Sequence, residues 1–331
     1  MRKMDLQRTI VEGTVSRALR DMEGDTHRTA RNLVDLGMSL ARGPFERQFF
    51  AKCRQILDDD SSPCFEMIRR VLSCFDRQTL LTFGVNVGFE GCSRGAKRIR
   101  EVESREGFNV PWTIRIAAGE QGLSRIYVQR VITEAMELGV HVFILEDCGL
   151  AQSDLRQILT DNPPCAFGVI THGLWGQDWD LDVLVDLHNL LLCVDGEGPL
   201  ALELCHALED ARMPYAAYLC YDDRIQNLDS RLEAVGALGS PLVLLLGDEA
   251  GPEAQAQVRR RVLESRSSYA YSFVPIDLPG DLLAIDRIIS DDPCSLAILS
   301  DGGVRTIEGV CPVDVRRQSL KQVLREVLPT R

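Results

Sequence analysis

The sequence predicts an α/β protein: a (β/α) barrel, TIM-like or partial, with an N-terminal helical segment before it and a C-terminal hairpin and helix after it. Three observations carry that prediction. Short apolar, β-branched runs recur at roughly the 25 to 30 residue pitch of one strand-plus-helix unit. Several of these runs are apolar at nearly every position, as parallel strands covered on both faces are. The stretches between them are amphipathic and stop at Gly or Pro.

The first 76 residues read as helix. Leu6, Ile10, Val11, Val15 and Leu19 form one apolar stripe, and Leu33, Leu36 and Leu40 form another. Breaks fall at Gly24-Asp25-Thr26, at Gly43-Pro44 and between residues 58 and 63, where Ser62 precedes Pro63. About four short helices are expected, acting as a cap on the barrel.

Residues 77–290 carry the repeating unit. Its strand candidates are LLTFGVNVG from Leu80, WTIRIA from Trp112, HVFILED from His141, CAFGVIT from Cys165, LLLCVDG from Leu190, YAAYLCY from Tyr215, LVLLLGD from Leu242 and YSFVPID from Tyr271. Helices are expected over residues 126–138 before Gly139, 200–211 before Met213-Pro214, and 229–238 before Gly239. An open doubly wound sheet would use the same units, but there are eight strand candidates and no Gly-rich dinucleotide fingerprint follows any of them. Residues 291–331 read as an extension: SLAILS turns through Asp301-Gly302-Gly303 into VRTIEG as a hairpin, and a helix follows over residues 316–328.

A chain of 331 residues, 45% hydrophobic and 26% charged, can bury a full core. Its net charge of -12 argues against nucleic acid as a partner, because that affinity rests on clustered Lys and Arg. The start, MRKMDLQRTIVEG, is charged where a signal peptide is apolar, and no run reaches the roughly 18 apolar residues of a membrane span, so the expectation is a cytoplasmic chain without membrane contact. Eleven scattered cysteines, with no C-x2-C pair, read as buried hydrophobes in a reducing compartment.

In a parallel barrel the site is built where the strands end. Those positions give Asn86, Glu90, Glu146, Asp147, Thr171, His172, Asp195, Glu197, Tyr221, Asp222, Asp223, Asp248, Glu249 and Asp277. Acids dominate, and converging carboxylates are tolerated where they hold a cation, bind a cationic ligand or share protons. Each acid could equally be the cap of the helix that follows. His172, in THGLWG, could be a metal ligand, a base or a structural histidine, and Glu146, His172 and Asp195 are the candidate metal set. Cys92 and Arg94, in GFEGCSRGAKRIR, suggest an anion-binding loop, a lowered-pKa thiol or an ordinary charged helix start.

That order of features resembles the radical S-adenosylmethionine enzymes, whose barrels carry a C-x3-C-x2-C cluster loop after the first strand. Here Cys92 stands at the first cysteine position, with Ala96 and Ile99 at the other two. Glu146 resembles that family's acidic residue at the end of the second strand, without the Gly-Gly beside it. Cys294 and Cys311 lie in a tail similar to the hairpin-plus-helix extension of some members, and the likeness spans residues 80–328. The resemblance implies a cluster-less relative, in which a standard 4Fe-4S cluster lacks its thiolates.

The sequence does not name a reaction. The leading expectation is a barrel of altered chemistry, or a binding protein, that takes a small molecule or a partner protein at the acidic strand ends. The cofactor candidates are S-adenosylmethionine and a divalent metal. The alternative is a metal-dependent hydrolase or lyase using Glu146, His172, Asp195 and Glu197. Oligomeric state is not legible.

Overall fold

A computed structural model of the chain describes residues 5–147, 149–171, 180–247, 250–290 and 292–330. Six helices come first: α1 (Leu6–Asp21), α2 (Thr26–Leu40), α3 (Pro44–Leu57), α4 (Cys64–Cys74), α5 (Arg77–Val85) and α6 (Ala96–Glu106), with a π-helix over Asn86–Gly95 joining the last two. The breaks before α2, α3 and α4 fall where the turn residues stand. Asp5, Asp25 and Asp76 each accept a backbone N–H in the first turn of the helix they precede, which fixes its start.

The run LLTFGVNVG is helical, contrary to the expected first strand. Asp76 caps it through the Thr79 N–H and hydroxyl at 2.8 and 3.0 Å, and a short apolar run has no periodicity of its own to oppose that helix start. The other seven runs are parallel strands: β1 (Thr113–Ala118), β2 (Val142–Asp147), β3 (Ala166–Ile170), β4 (Leu190–Asp195), β5 (Tyr215–Cys220), β6 (Leu242–Leu246) and β7 (Val274–Asp277). Between them lie α7 (Arg125–Leu138), α8 (Gln152–Asp161), α9 (Ala201–Asp210), α10 (Leu228–Gly236) and α11 (Pro252–Ser268).

After β7 comes α12 (Leu278–Ile289), and β8 (Leu296–Ile298) then pairs in parallel with β1. SLAILS is therefore a member of the parallel sheet as well as the first strand of the expected hairpin. β9 (Gly303–Thr306) and β10 (Gly309–Asp314) continue antiparallel, and α13 (Leu320–Val327) closes the chain. The single sheet runs β10-β9-β8-β1-β2-β3-β4-β5-β6-β7. Its parallel part has the strand order of a barrel opened between β7 and β8, and among the described residues no ladder joins those two strands.

The alternation of side chains along each strand separates two faces. Ile114, Ile116, Phe143, Leu145, Phe167, Val169, Leu192 and Val194 pack with apolar residues of α7, α8 and α9, and Ala217, Leu219, Val243 and Leu245 with those of α10 and α11. Phe143 and Phe167 stack across β2 and β3 with ring centroids 5.6 Å apart, an arrangement that contributes about 1 kcal/mol beyond its burial. The inner face, turned away from α7–α11, carries Ile144, Ile170, Cys193, Ala216, Tyr218, Leu244 and Leu246, and is met by Leu278 and Leu282 of α12. Where α12 ends, buried Asp286 accepts the Trp112 N–H at 2.7 Å just ahead of β1.

The N-terminal helices cover the ends at which the strands begin. Arg70 donates to the Gly239 carbonyl before β6, and the Arg212 guanidinium, before β5, donates to the Phe75 carbonyl at 3.0 Å. The π-helix meets the turn between α7 and β2 so closely that a Cβ on Gly95 would stand 2.3 Å from the Gly139 carbonyl oxygen. Gly139 itself needs its positive φ of 108° to end α7. Helix α1 is pinned here by charge: Arg8 donates to Glu90 at 2.9 Å, Asn86 at 2.8 Å and Glu12 at 2.7 Å, and Asn86 in turn donates to the carbonyls of Pro163 and Cys165.

Two outcomes follow. Arg8→Met leaves Glu90, whose side chain is 3% exposed, with only the 3.4 Å contact to Arg94. It should destabilise the chain by about 2 to 3 kcal/mol in urea unfolding, and Arg8→Met with Glu90→Gln should recover at least half of that. Burial raises the Asp286 pKa well above its ordinary value, with nearby Glu103 adding to the shift and the Trp112 N–H opposing it. The native state therefore keeps a proton that the unfolded chain loses near about pH 3.9, so this stabilisation is full below that pH and is lost as pH rises through the folded value. Asp286→Asn should flatten the fall in thermal midpoint above pH 4 and leave the midpoint below it unchanged.

Candidate functional site

Asn86, Glu90, Cys92 and Arg94 belong to the π-helix against the N-terminal ends of the strands, whereas Glu146, Asp195, Glu197 and Tyr221 belong to the C-terminal ends. These are two places, not one. The expected loop after a first strand does not exist, because the segment holding Cys92 is helical and precedes β1.

At the N-terminal end every candidate has a structural partner. Asn86 and Glu90 are buried and hold Arg8. Arg94 pairs with Asp5 and reaches Glu90, and Arg98 and Arg100 donate to the carbonyls of Glu137 and Ile289. The basic side chains of the loop thus point at acceptors of the protein itself, which leaves no grouped cations for an anion. Burial pushes the Cys92 thiol up to about 12, against the shift a nucleophile needs.

At the C-terminal end, Glu146 lies on the inner face, two positions after Ile144. It receives the Arg115 guanidinium of β1 at 2.8 Å from Nε and 2.6 Å from a terminal nitrogen. The two side chains are 17% and 25% exposed, so the pair is neither dry nor fully hydrated. Ala117 on β1 and Ile170 on β3 sit beside Glu146 in register, and Gly168 lies level with Ile144, two positions earlier. Asp195, on the same face of β4, stands two strands from Glu146, roughly 10 Å away at ordinary strand spacing. Its Oδ1 accepts the Glu197 N–H at 3.1 Å. The Tyr218 hydroxyl, also inner-facing, donates to the Thr171 carbonyl at 2.8 Å.

The remaining acids turn elsewhere. Glu197 takes both ends of the Arg231 guanidinium at 2.6 and 2.7 Å, on the α10 side of the sheet. Tyr221 is buried in the outer layer, with its hydroxyl 3.5 Å from Asp277. Asp277 is answered by Arg259, Asp222 accepts the Arg224 N–H of its own loop, and Asp223 accepts the Gly251 N–H ahead of α11. His172 and Asp248 lie outside the described residues.

Of the candidate metal set Glu146, His172 and Asp195, His172 lies outside the described residues. Glu146 is paired with Arg115 and Glu197 with Arg231, and among the described residues no group of three His, Cys, Asp or Glu is placed to hold a metal ion. Nor are the cysteines that the resemblance singles out, Cys92, Cys294 and Cys311, gathered at the C-terminal strand ends. Cys92 is at the opposite end, and Cys294 is buried with its thiol raised by desolvation.

Arg115 was not among the expected site residues. Its signal was present: a guanidinium inside the apolar run WTIRIA has to find a partner or water, and both are available only at a functional or exposed position.

No protein-family model and no curated protein matches the chain. Among solved structures it is similar to SuiB of Streptococcus suis bound to S-adenosylmethionine, at 8% identity and a TM-score of 0.49 over 71% of this chain and 68% of that one. It is similar to SuiB bound to the precursor peptide SuiA at 8% identity and a TM-score of 0.48, over 69% and 67%. Human mitochondrial enolase superfamily member 1 is similar at 14% identity and a TM-score of 0.36, over 88% and 74%. Likenesses of this size leave the chemistry to be argued from the residues. No helix among the described residues is long and apolar enough to cross a membrane.

The cysteines give a direct check on the placement of these elements. Cys220, exposed at the end of β5, should be alkylated first by iodoacetamide at pH 8, and Cys220→Ser should remove that fast phase. Cys92 and Cys193, both with thiols raised by burial to about 12, should stay unlabelled in the native chain over the same interval. Peptide mass mapping reads both.

Proposed function

We infer that the chain binds a small zwitterionic molecule on the inner face of the sheet, at the C-terminal ends of β1 to β4, with Arg115 taking its carboxylate and Glu146 its ammonium. The observation that carries this reading is the part-exposed Arg115–Glu146 pair on the inner face at the strand ends, with Ala117 beside Glu146 on β1. A buried ion pair is a poor source of stability, since desolvation offsets most of its Coulomb gain. A pair held part-exposed at the mouth of a parallel sheet has a use as a reader of two opposite charges.

In this reading the scaffold is a partial, radical-SAM-like barrel without cluster chemistry. Residues 1–76 cap the strand origins, 77–290 carry the ligand face, and 291–331 extend the sheet. The setting is cytoplasmic and the role is binding, with no reaction assigned. S-adenosylmethionine, whose methionine end is a zwitterion, is the first compound to test. Glu146 is the residue that the family resemblance would place on it.

Calorimetric titration with S-adenosylmethionine and with free amino acids tests the proposal. One of them should bind, and at a concentration 100 times its Kd should stabilise the chain by about 2.7 kcal/mol. Arg115→Met and Glu146→Gln should each weaken that binding at least tenfold. Binding that both substitutions leave intact, or no binding by any zwitterion in the panel, removes the assignment.

A further inference from the structure

A cavity lies at the other end of the strands, where α5 meets the segments that lead into β4 and β5. It is a half-open cleft of about 340 Å³, at the small end of the range that ligand sites occupy. Leu187, Met213, Pro214 and Val185 make its apolar wall, and Asp76, Thr79 and His188 stand together at its polar end.

The hydrogen bonds at that end set the tautomer of His188. The Thr79 hydroxyl lies 3.0 Å from Asp76 Oδ2 and 2.8 Å from His188 Nδ1. A carboxylate can only accept, and a hydroxyl's single hydrogen makes its stronger bond to the charged acceptor. The hydroxyl hydrogen therefore goes to Asp76, and the Thr79 oxygen is left to accept from Nδ1–H. Nδ1 of His188 is thus the donor, which in the neutral ring makes Nε2 an acceptor, and Nε2 has no partner among the described residues. Asp76 also takes the Thr79 N–H at 2.8 Å, so the chain of donors starts from a fixed carboxylate.

The charges around the cleft are already matched. Asp186 holds Arg156 through both oxygens at 2.6 and 2.8 Å, and Arg212 is directed at the Phe75 carbonyl. The carboxylate of Asp76 remains beside the polar end and disfavours an anion there.

We propose that this cleft is a binding site for a small neutral or cationic molecule with an O–H or N–H head on an apolar body, the head donating to His188 Nε2 and the body lying on Leu187, Met213 and Val185. The site is independent of Arg115 and Glu146. It joins the helical cap to the sheet, since its lining comes from α5 and from the chain ahead of β4 and β5.

Three probes of one shape separate charge from fit: 2-phenylethanol, 2-phenylethylamine and phenylacetate, titrated into the full chain with the His188 ring nitrogens followed by long-range ¹H–¹⁵N correlation. The free protein should show the proton on Nδ1. The alcohol and the amine should bind with a Kd of about 1 mM, ordinary for fragments of this size, and should move the Nε2 resonance. Phenylacetate should bind at least tenfold more weakly. Thr79→Val should turn the ring into a tautomer mixture, and His188→Phe, which keeps the bulk, should weaken alcohol and amine at least tenfold. A proton found on Nε2 in the free protein, equal affinity for phenylacetate, or an Nε2 resonance that neither probe moves would each overturn the proposal, and all three are read on the unmutated chain.

Discussion

The parallel ladder from β8 through β1 to β7 is the constraint on which the rest depends. Strands that all run one way put every beginning at one end of the sheet and every ending at the other, so the two ends meet different neighbours. The beginnings are covered by the helical cap, and the hold is polar as well as apolar. Arg8 reaches from α1 to Glu90 and Asn86, and Asn86 passes the contact on to the carbonyls ahead of β3. The endings carry loops and the Arg115–Glu146 pair. The proposed binding face lies at the second end, and the cleft at His188 lies at the first, where the cap leaves a gap.

The charge pattern follows the same division. A chain with 49 acidic and 37 basic residues carries an excess of carboxylates, yet among the described residues the strand-end acids do not gather. Glu197 is bound to Arg231, Asp277 is answered by Arg259, and Asp281 pairs with Arg259 and Arg266 on α11. The first two pairs tie a strand end or its loop to an outer helix, and the Asp281 pairs tie α12 to α11. Glu146 differs because its arginine comes from the neighbouring strand and lies on the inner face. That difference in direction, rather than any difference in residue type, separates a stapling pair from one that a ligand can meet.

Much of this architecture was legible in the sequence. Runs such as HVFILED and LLLCVDG are too apolar to be anything but strands covered on both sides, and the Gly139 ending of α7 was readable from the chain alone. Two errors have physical causes. The run from Leu80 has strand-like composition but a capping Asp76, and local capping decided its conformation. SLAILS contributes a strand of only three residues, and its parallel pairing with β1 depends on α12 carrying the chain back across the sheet, which no local pattern encodes. The site was half legible. Glu146 and Asp195 stand at strand ends as their position in the runs suggested, but which way Glu197 and Tyr221 turn is set by Arg231 and by the outer core, and Arg115 entered only through its partner.

The inner-face pair is assigned to recognition rather than to holding the fold, and that distinction can be measured directly. Urea unfolding of the Arg115→Met, Glu146→Met double variant should give a stability equal to or above that of the natural chain, since two apolar side chains replace an ion pair whose desolvation was never recovered. A loss of several kcal/mol would instead make Arg115 and Glu146 part of the structural framework and would leave the inner face without a reader for its ligand.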